Sequence, residues 1–160
     1  MKYEFTPERM KEFQKVKAKY ERPRSALLPA LYLAQEQWKF LSDEAIQYVA
    51  GLLEMPAREV FEAVSFYTMF RKKDMGKYCL QVCNNITCTL MGSEALLDLL
   101  HKELDVGLSE TTKDGMFSIL SVQCLGSCGT APVVQINENY YENMNCDRLK
   151  ITLQQLRGTT

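Results

Sequence analysis

Apolar positions divide the chain into two halves with different periods. The first half repeats at helical spacing. Met10, Phe13 and Val16 form a thin stripe over residues 7–20. Thr6, Pro7 and Glu8 ahead of it combine a capping hydroxyl, a proline at the first helical position and an acid for the dipole. Leu27, Leu31, Ala34 and Trp38 recur at i, i+4, i+7 and i+11, which predicts a second helix over 26–40 with Pro29 in its first turn. Ser42 with Asp43 and Glu44 caps a third, whose Ile46, Val49, Ala50 and Leu53 share a face. Pro56 opens a fourth that runs to about residue 69 with Val60, Phe61 and Val64 inward. These stripes read as the packing of a small helical bundle.

Arg71, Lys72, Lys73 and Asp74, followed by Met75 and Gly76, break the pattern. The break predicts a boundary between a helical domain, 1–74, and a second domain, 75–160. Beyond it the period changes to two: Tyr78, Leu80 and Val82 alternate with Cys79, Gln81 and Cys83, as in a strand. A helix follows from a start between 89 and 93, with Leu96, Leu97, Leu100 and Leu104 on one face. After an Asp114-Gly115 turn, residues 116–122 form a second strand. Met116, Leu120 and Val122 point one way and Phe117 and Ile119 the other, so it reads as buried on both faces. Residues 132–135 and 140–141 suggest a hairpin around Asn137-Glu138-Asn139. A final helix over 147–156 carries Leu149, Leu153 and Leu156. The fold class is α+β to α/β: a helical bundle, then a β-α-β-β-β-α domain whose first helix can cross over between parallel strands.

Composition narrows the function classes. With 46% hydrophobic and 24% charged residues among 160, low-complexity disorder and collagen-like repeats are excluded. Nineteen Lys plus Arg against twenty Asp plus Glu leave a net charge of −1, which argues against a nucleic-acid partner. Charges scattered from Lys2 onward leave no apolar signal-peptide segment. The uncharged runs 25–35 and 116–137 carry proline, and glycines with polar residues interrupt the second, so no direct membrane insertion is expected. An intracellular chain keeps thiols reduced, and its six cysteines beside one histidine then point to metal or redox chemistry before disulfides.

Two spacings organise the cysteines: Cys83-x4-Cys88 and Cys124-x3-Cys128. Each pair follows the end of a predicted strand. If those strands are parallel neighbours, both loops emerge at one sheet edge and four thiolates converge. Cys79 lies about 13 Å from Cys83 along an extended strand. Cys146 sits before the last helix without a partner spacing, so both read as packed thiols. Four thiolates suit a structural zinc or an iron–sulfur cluster. Asn84, Asn85, Thr87, Thr89, Gly126, Ser127 and Gly129 offer hydroxyl, amide and open backbone donors, which a dianionic 2Fe–2S cluster needs around its sulfurs. That weighs toward iron, with a colourless zinc-stapled interaction module as the alternative. His101 reads as a partly solvated residue on a helix flank. No glycine-rich phosphate loop follows a strand, and no Cys-x-x-Cys dithiol is present.

The joint pattern of Val82-Cys83-x4-Cys88, Gly92, Thr111-Thr112-x-Asp114-Gly115, Cys124-Leu-Gly-x-Cys128 and Ala131-Pro132, with Phe66-Tyr67-x-x-Phe70 upstream, resembles one family. It is similar to the small thioredoxin-like 2Fe–2S subunit of bacterial respiratory complex I, the NADH:quinone oxidoreductase. The resemblance implies that Cys83 and Cys88 hold one iron and Cys124 and Cys128 the other, with no catalytic residue in this chain. It implies a thioredoxin-like second domain and association with a larger flavin- and NADH-binding subunit. There the cluster would exchange single electrons with a flavin mononucleotide bound by that partner, off the main route to quinone. The chain would work as a subunit of an oxidoreductase, cytoplasmic and peripheral to the inner membrane. NAD-linked hydrogenases and formate dehydrogenases carry relatives, and a free-standing ferredoxin of this fold would not need the helical arm. The thioredoxin-like reading also makes the Ala131–Pro132 bond a candidate cis peptide.

Overall fold

Two compact units, Met1–Asp74 and Met75–Thr160, make up the chain. The structure, a computed structural model, describes residues 3–158, so the charge at Lys2 lies outside the described residues.

In the first unit, α1 (Pro7–Lys17) starts where Thr6 accepts a hydrogen bond from the Arg9 N–H. A short 3-10 turn over Pro23–Ala26 leads into α2 (Leu27–Trp38). Pro29 falls in its first turn, where the missing N–H has no helical partner to lose. Ser42 caps α3 (Asp43–Leu53) through the Ala45 N–H, and Pro56 precedes α4 (Ala57–Phe66). The core unites Phe13, Ala30, Leu31, Ala34, Ile46, Val49, Leu53, Val60 and Val64. Phe5 joins it, stacked on Trp38 at 5.4 Å between ring centroids and edge-on to Tyr48 at 5.3 Å.

Two expectations shift here. The buried stripe of α2 runs through Ala30, Leu31 and Ala34, with Leu27 and Trp38 half-buried at its margins. Helix α4 ends at Phe66, where Tyr67 turns extended. Its inward line is Val60 to Val64, four residues apart; Phe61 lies one helical step round, is 44% exposed, and carries the Lys72 ammonium over its ring at 5.6 Å.

The second unit is a four-stranded mixed sheet of order β2-β1-β3-β4. Strand β1 (Tyr78–Cys83) runs parallel to β2 (Phe117–Val122), from Tyr78 opposite Phe117 to Cys83 opposite Val122. On its other side β1 meets β3 (Val134–Ile136) antiparallel, and β3 turns through Asn137 into β4 (Asn139–Tyr141). The crossover from β1 to β2 contains α5 (Ile86–Leu90) and α6 (Ser93–Leu104), and α7 (Cys146–Gly158) ends the unit. Leu80, Val82, Phe117, Ile119, Val134 and Ile136 pack with Leu96 and Leu100 of α6 and Leu149 and Leu153 of α7. Gly76 approaches β2 so closely that a Cβ would stand 2.8 Å from the Phe117 backbone.

Strand β2 is not buried along its whole length. Phe117, Ser118 and Ile119 are buried, whereas Leu120, Ser121 and Val122 are half-exposed. The cause is uneven cover on its outer side: residues 109–112 hydrogen-bond to Phe117 and Ile119, with Thr111 bridging Ser118, and this cover stops short of Leu120. Strand β3 begins two residues later than expected, past Pro132, which has no N–H for a ladder. The Ala131–Pro132 bond is cis, as the thioredoxin-like reading expects. Among the described residues no helix is long and apolar enough to cross a membrane.

Candidate metal centre

The parallel register of β1 and β2 decides where the cysteines go. Cys83 is the last residue of β1 and pairs with Val122, the last of β2, so both following loops leave the same sheet edge. The Asn84 N–H donates to the Val122 carbonyl at 2.9 Å and the Cys83 N–H to Val133 at 3.2 Å, which anchors the exit of β1 to both flanking segments.

Helix α5 then carries Cys88. Its N-cap is Asn85, whose side-chain oxygen accepts from the Ile86 N–H at 2.9 Å. Thr89 bonds back twice, its N–H to Asn85 at 2.9 Å and its hydroxyl to the Asn84 carbonyl at 3.1 Å. The second loop holds Cys124 and Cys128 by other means. Gly126 sits at φ +74, a left-handed turn that brings its N–H to the Cys124 sulfur at 3.3 Å. Cys128 opens a 3-10 turn through Thr130, after which the cis bond leads into β3.

Cys83 and Cys88 are buried with Ala131 and Val133, and Leu125 packs against them; Cys124 and Cys128 are exposed. The Cys88 and Cys124 thiols influence the titration of Cys83, and Cys83 and Cys128 that of Cys88. The four sequence-predicted thiols lie at, and in the loops beyond, the shared end of β1 and β2. Among the described residues no group of three or more His, Cys, Asp and Glu stands ready to hold a single metal ion.

Electrostatics separate the buried pair. Burial raises the Cys83 pKa, but the N–H groups of Asn85 and Leu125 and the neighbouring Cys88 and Cys124 thiols outweigh it, so Cys83 titrates below an ordinary thiol. Cys88 titrates above one, because burial, its hydrogen bond with Cys83 and the charges of Cys83 and Cys128 prevail over the Val133 N–H. Cys83 is the first of the two to become a thiolate.

The sulfur donors agree in part with those the sequence suggested: Asn85 and Gly126 are among them, Leu125 and Val133 are not. Backbone N–H groups of Asn85, Leu125, Gly126 and Val133 reach sulfur. The polar side chains nearby are engaged elsewhere: Asn84 donates to Ser121 at 2.8 Å, Thr89 to the Asn84 carbonyl, and Ser127 to Glu142. Leu125 and Val133 carried no polar side chain to mark them. Their contribution follows from backbone direction alone.

The other two cysteines stand apart in role. Cys79 is buried in β1, where its N–H donates to Asn137 at 3.0 Å. Cys146 begins α7 with its sulfur 3.7 Å from the Ala95 carbonyl. His101 lies half-buried in the last turn of α6, its Nδ1 2.7 Å from the Val106 carbonyl.

Four thiols, with main-chain N–H donors to Cys83, Cys88 and Cys124, fit the chemistry of a thiolate-held iron–sulfur cluster, which is stabilised by such hydrogen bonds. Comparison with known proteins points the same way. The model of the family described as thioredoxin-like [2Fe-2S] ferredoxin matches residues 13–157. The E-type NADH-quinone oxidoreductase subunit of Rickettsia prowazekii (strain Madrid E) is 45% identical over 138 residues, 84% of this chain and 77% of that protein. The second E-type NADH-quinone oxidoreductase subunit of Rhizobium meliloti (strain 1021) is 39% identical over 147 residues, covering 92% of this chain and 88% of its own. A crystal structure of an NAD+-reducing [NiFe]-hydrogenase in the H2-reduced state shares the fold, with a TM-score of 0.74 at 20% identity. That match spans 84% of this chain and 22% of the hydrogenase chain. The chain thus belongs to the thioredoxin-like [2Fe-2S] ferredoxin family, whose cofactor is a 2Fe–2S cluster.

Proposed function

We propose that Cys83, Cys88, Cys124 and Cys128 hold the 2Fe–2S cluster and that the chain is the small electron-transfer subunit of an NADH-quinone oxidoreductase. Its partner would be the flavin- and NADH-binding subunit of that complex. The observation that carries this reading is the register of β1 and β2, in which Cys83 lies opposite Val122, so that the loops bearing Cys88 and Cys124–Cys128 leave the same sheet edge. Bound there, the cluster supplies one-electron oxidation and reduction without bond-making to a substrate.

The chain's own residues do the rest. Cys83 and Cys88 are placed by the rigid strand end and the capped helix α5, and Cys124 and Cys128 by a loop pinned to β4. The N–H groups of Asn85, Leu125, Gly126 and Val133 stabilise negative charge on sulfur. Leu125, Ala131 and Val133 keep water from the inner pair. Four sulfur ligands without histidine hold the potential below that of Rieske-type centres.

Identities of 45% and 39% to NADH-quinone oxidoreductase subunits over most of both chains favour a complex I type host. The hydrogenase likeness supports the fold alone. A place on the cytoplasmic side of the inner membrane, peripheral and within the larger complex, follows from that host.

The test is anaerobic purification with iron and sulfide analysis, visible absorption and EPR after reduction. The parent should be red-brown with near-equal iron and sulfide. Cys→Ser changes at 83, 88, 124 or 128 should each weaken or abolish the signal. A colourless zinc protein, or any of the four variants with the parent's full spectrum, would sink the proposal.

A further inference from the structure

We propose that Glu142 is a positioning residue for the Cys124–Cys128 half of the cluster site, holding the loop that presents those two thiols. The inference rests on their being ligands, as argued above. Glu142 follows β4, outside the loop that carries the cysteines. Its Oε1 nevertheless accepts from the Ser127 hydroxyl at 2.5 Å and from the Thr130 hydroxyl at 2.7 Å, residues flanking Cys128 on either side.

Ser127 Oγ and Thr130 Oγ1 are themselves 2.7 Å apart. Three oxygens thus form a closed triangle across the 3-10 turn that Cys128 opens. Only two hydroxyl protons are available to it, so an ionised carboxylate is the natural common acceptor. Those two bonds hold the Glu142 carboxyl below the usual carboxylate range, which keeps it ionised at neutral pH.

The carboxylate does not act alone in tying this segment down. The Asn143 N–H donates to the Thr130 carbonyl at 2.7 Å and the Met144 N–H to Pro132 at 2.9 Å. The Tyr140 hydroxyl donates to the Leu125 carbonyl at 3.0 Å. From α7 the Arg148 guanidinium donates to the carbonyls of Glu142 and Asn143, at 3.0 and 2.7 Å. The strap from β4 to α7 therefore grips the loop at Leu125, Ser127, Thr130 and Pro132, and Glu142 is its one charged hold on the loop side chains. Cys124 and Cys128 are exposed and lack the strand end and capped helix that fix Cys83 and Cys88. They depend more on such outside support.

The test compares E142A and E142Q with the parent in the full chain carrying its cluster. It reads iron loss to a chelator, the midpoint potential by EPR-monitored titration, and thermal unfolding. Losing the hydrogen-bonding supports of metal ligands weakens retention about 10–100-fold, so E142A should lose iron at least about tenfold faster. Its potential should rise as a negative charge leaves the surroundings of the cluster. E142Q keeps an amide oxygen for both hydroxyls, so it should hold iron within about twofold of the parent while also showing a raised potential. The proposal is overturned if E142A releases iron at the parent's rate. It is equally overturned if faster release comes with an unchanged potential and a matching loss of thermal stability, since that is a fold effect. C124S and C128S serve as controls: full spectra there would overturn the ligand set itself, whereas a Glu142 failure with those signals lost would leave it standing.

Discussion

At the scale of single residues, this chain distinguishes thiols that look alike in composition. Cys79 and Cys83 are both buried, both in β1 and four residues apart, yet only Cys83 reaches the sheet edge where the loops meet. Position along a strand, not burial, separates a packed thiol from a candidate ligand. Cys79→Ser replaces a soft sulfur, in a residue 1% exposed, by a smaller and more polar oxygen, and should lower unfolding stability by about 0.5–3 kcal/mol, the usual range for a substitution at a buried position. Its cluster spectrum should match the parent's, checked by absorption beside urea unfolding. A lost spectrum with unchanged stability would reverse the roles of the two cysteines. The x4 and x3 spacings made the four candidate thiols legible in the sequence. The donors were legible only in part: Asn85 and Gly126 were marked, whereas Leu125 and Val133 act through main-chain N–H groups that no side-chain chemistry marks. Glu142 was equally hidden: its link to Ser127 exists only once β4 folds back beside the loop.

Among the elements, the long amphipathic stretches were legible because their period outlasts local irregularities. Thr6 and Ser42 mark the starts of α1 and α3. Helix α5 escaped notice, since five residues with Cys88 at their centre are too few to display a period. The edge placement of β2 was hidden too, because strand order is set by which partner β1 takes on its far side. Where a cap is legible its effect is testable. Ser42 accepts from the Ala45 N–H at 3.2 Å, and its hydrogen bond with Glu44 is the largest influence holding that carboxyl below its usual range. Ser42→Ala should cost about 1 kcal/mol in urea unfolding at pH 7. The sign of the pH effect follows from the depressed pKa. The unfolded state takes up the proton first, so this contribution is present above the ordinary carboxylate value and fades as pH falls through the lowered one. The gap between parent and S42A should therefore narrow in acid below about pH 4. A gap that stays constant there would show that Glu44 draws nothing from the hydroxyl, and one that widens would reverse the sign of the effect.

For the molecule as a whole, the question is how much of it the cluster site needs. The contacts described for the four thiols lie within residues 76–158: the β1–β2 register, the cap of α5, the cis bond, and the strap from Tyr140 to Arg148. The second unit also has a core of its own, from Leu80 and Phe117 to Leu149 and Leu153. The division between the units falls at the end of the charged stretch, after Asp74. We propose that 75–160 is an autonomous cluster-binding domain and 1–74 a separately folding helical one, with its aromatic cluster around Phe5, Phe13, Trp38 and Tyr48 as nucleus. About 85 residues can bury enough surface to fold alone, though with less margin than the full chain. A fragment beginning at Met75 should then take up iron and sulfide and give the parent's reduced EPR signal, with a lower unfolding midpoint once iron is removed. A fragment that folds but cannot keep the cluster would mean that the helical unit supplies part of the site. If it does keep it, the helical unit is left free for association, and binding to the proposed partner, the flavin- and NADH-binding subunit, should weaken when 1–74 is deleted while the spectrum stays intact.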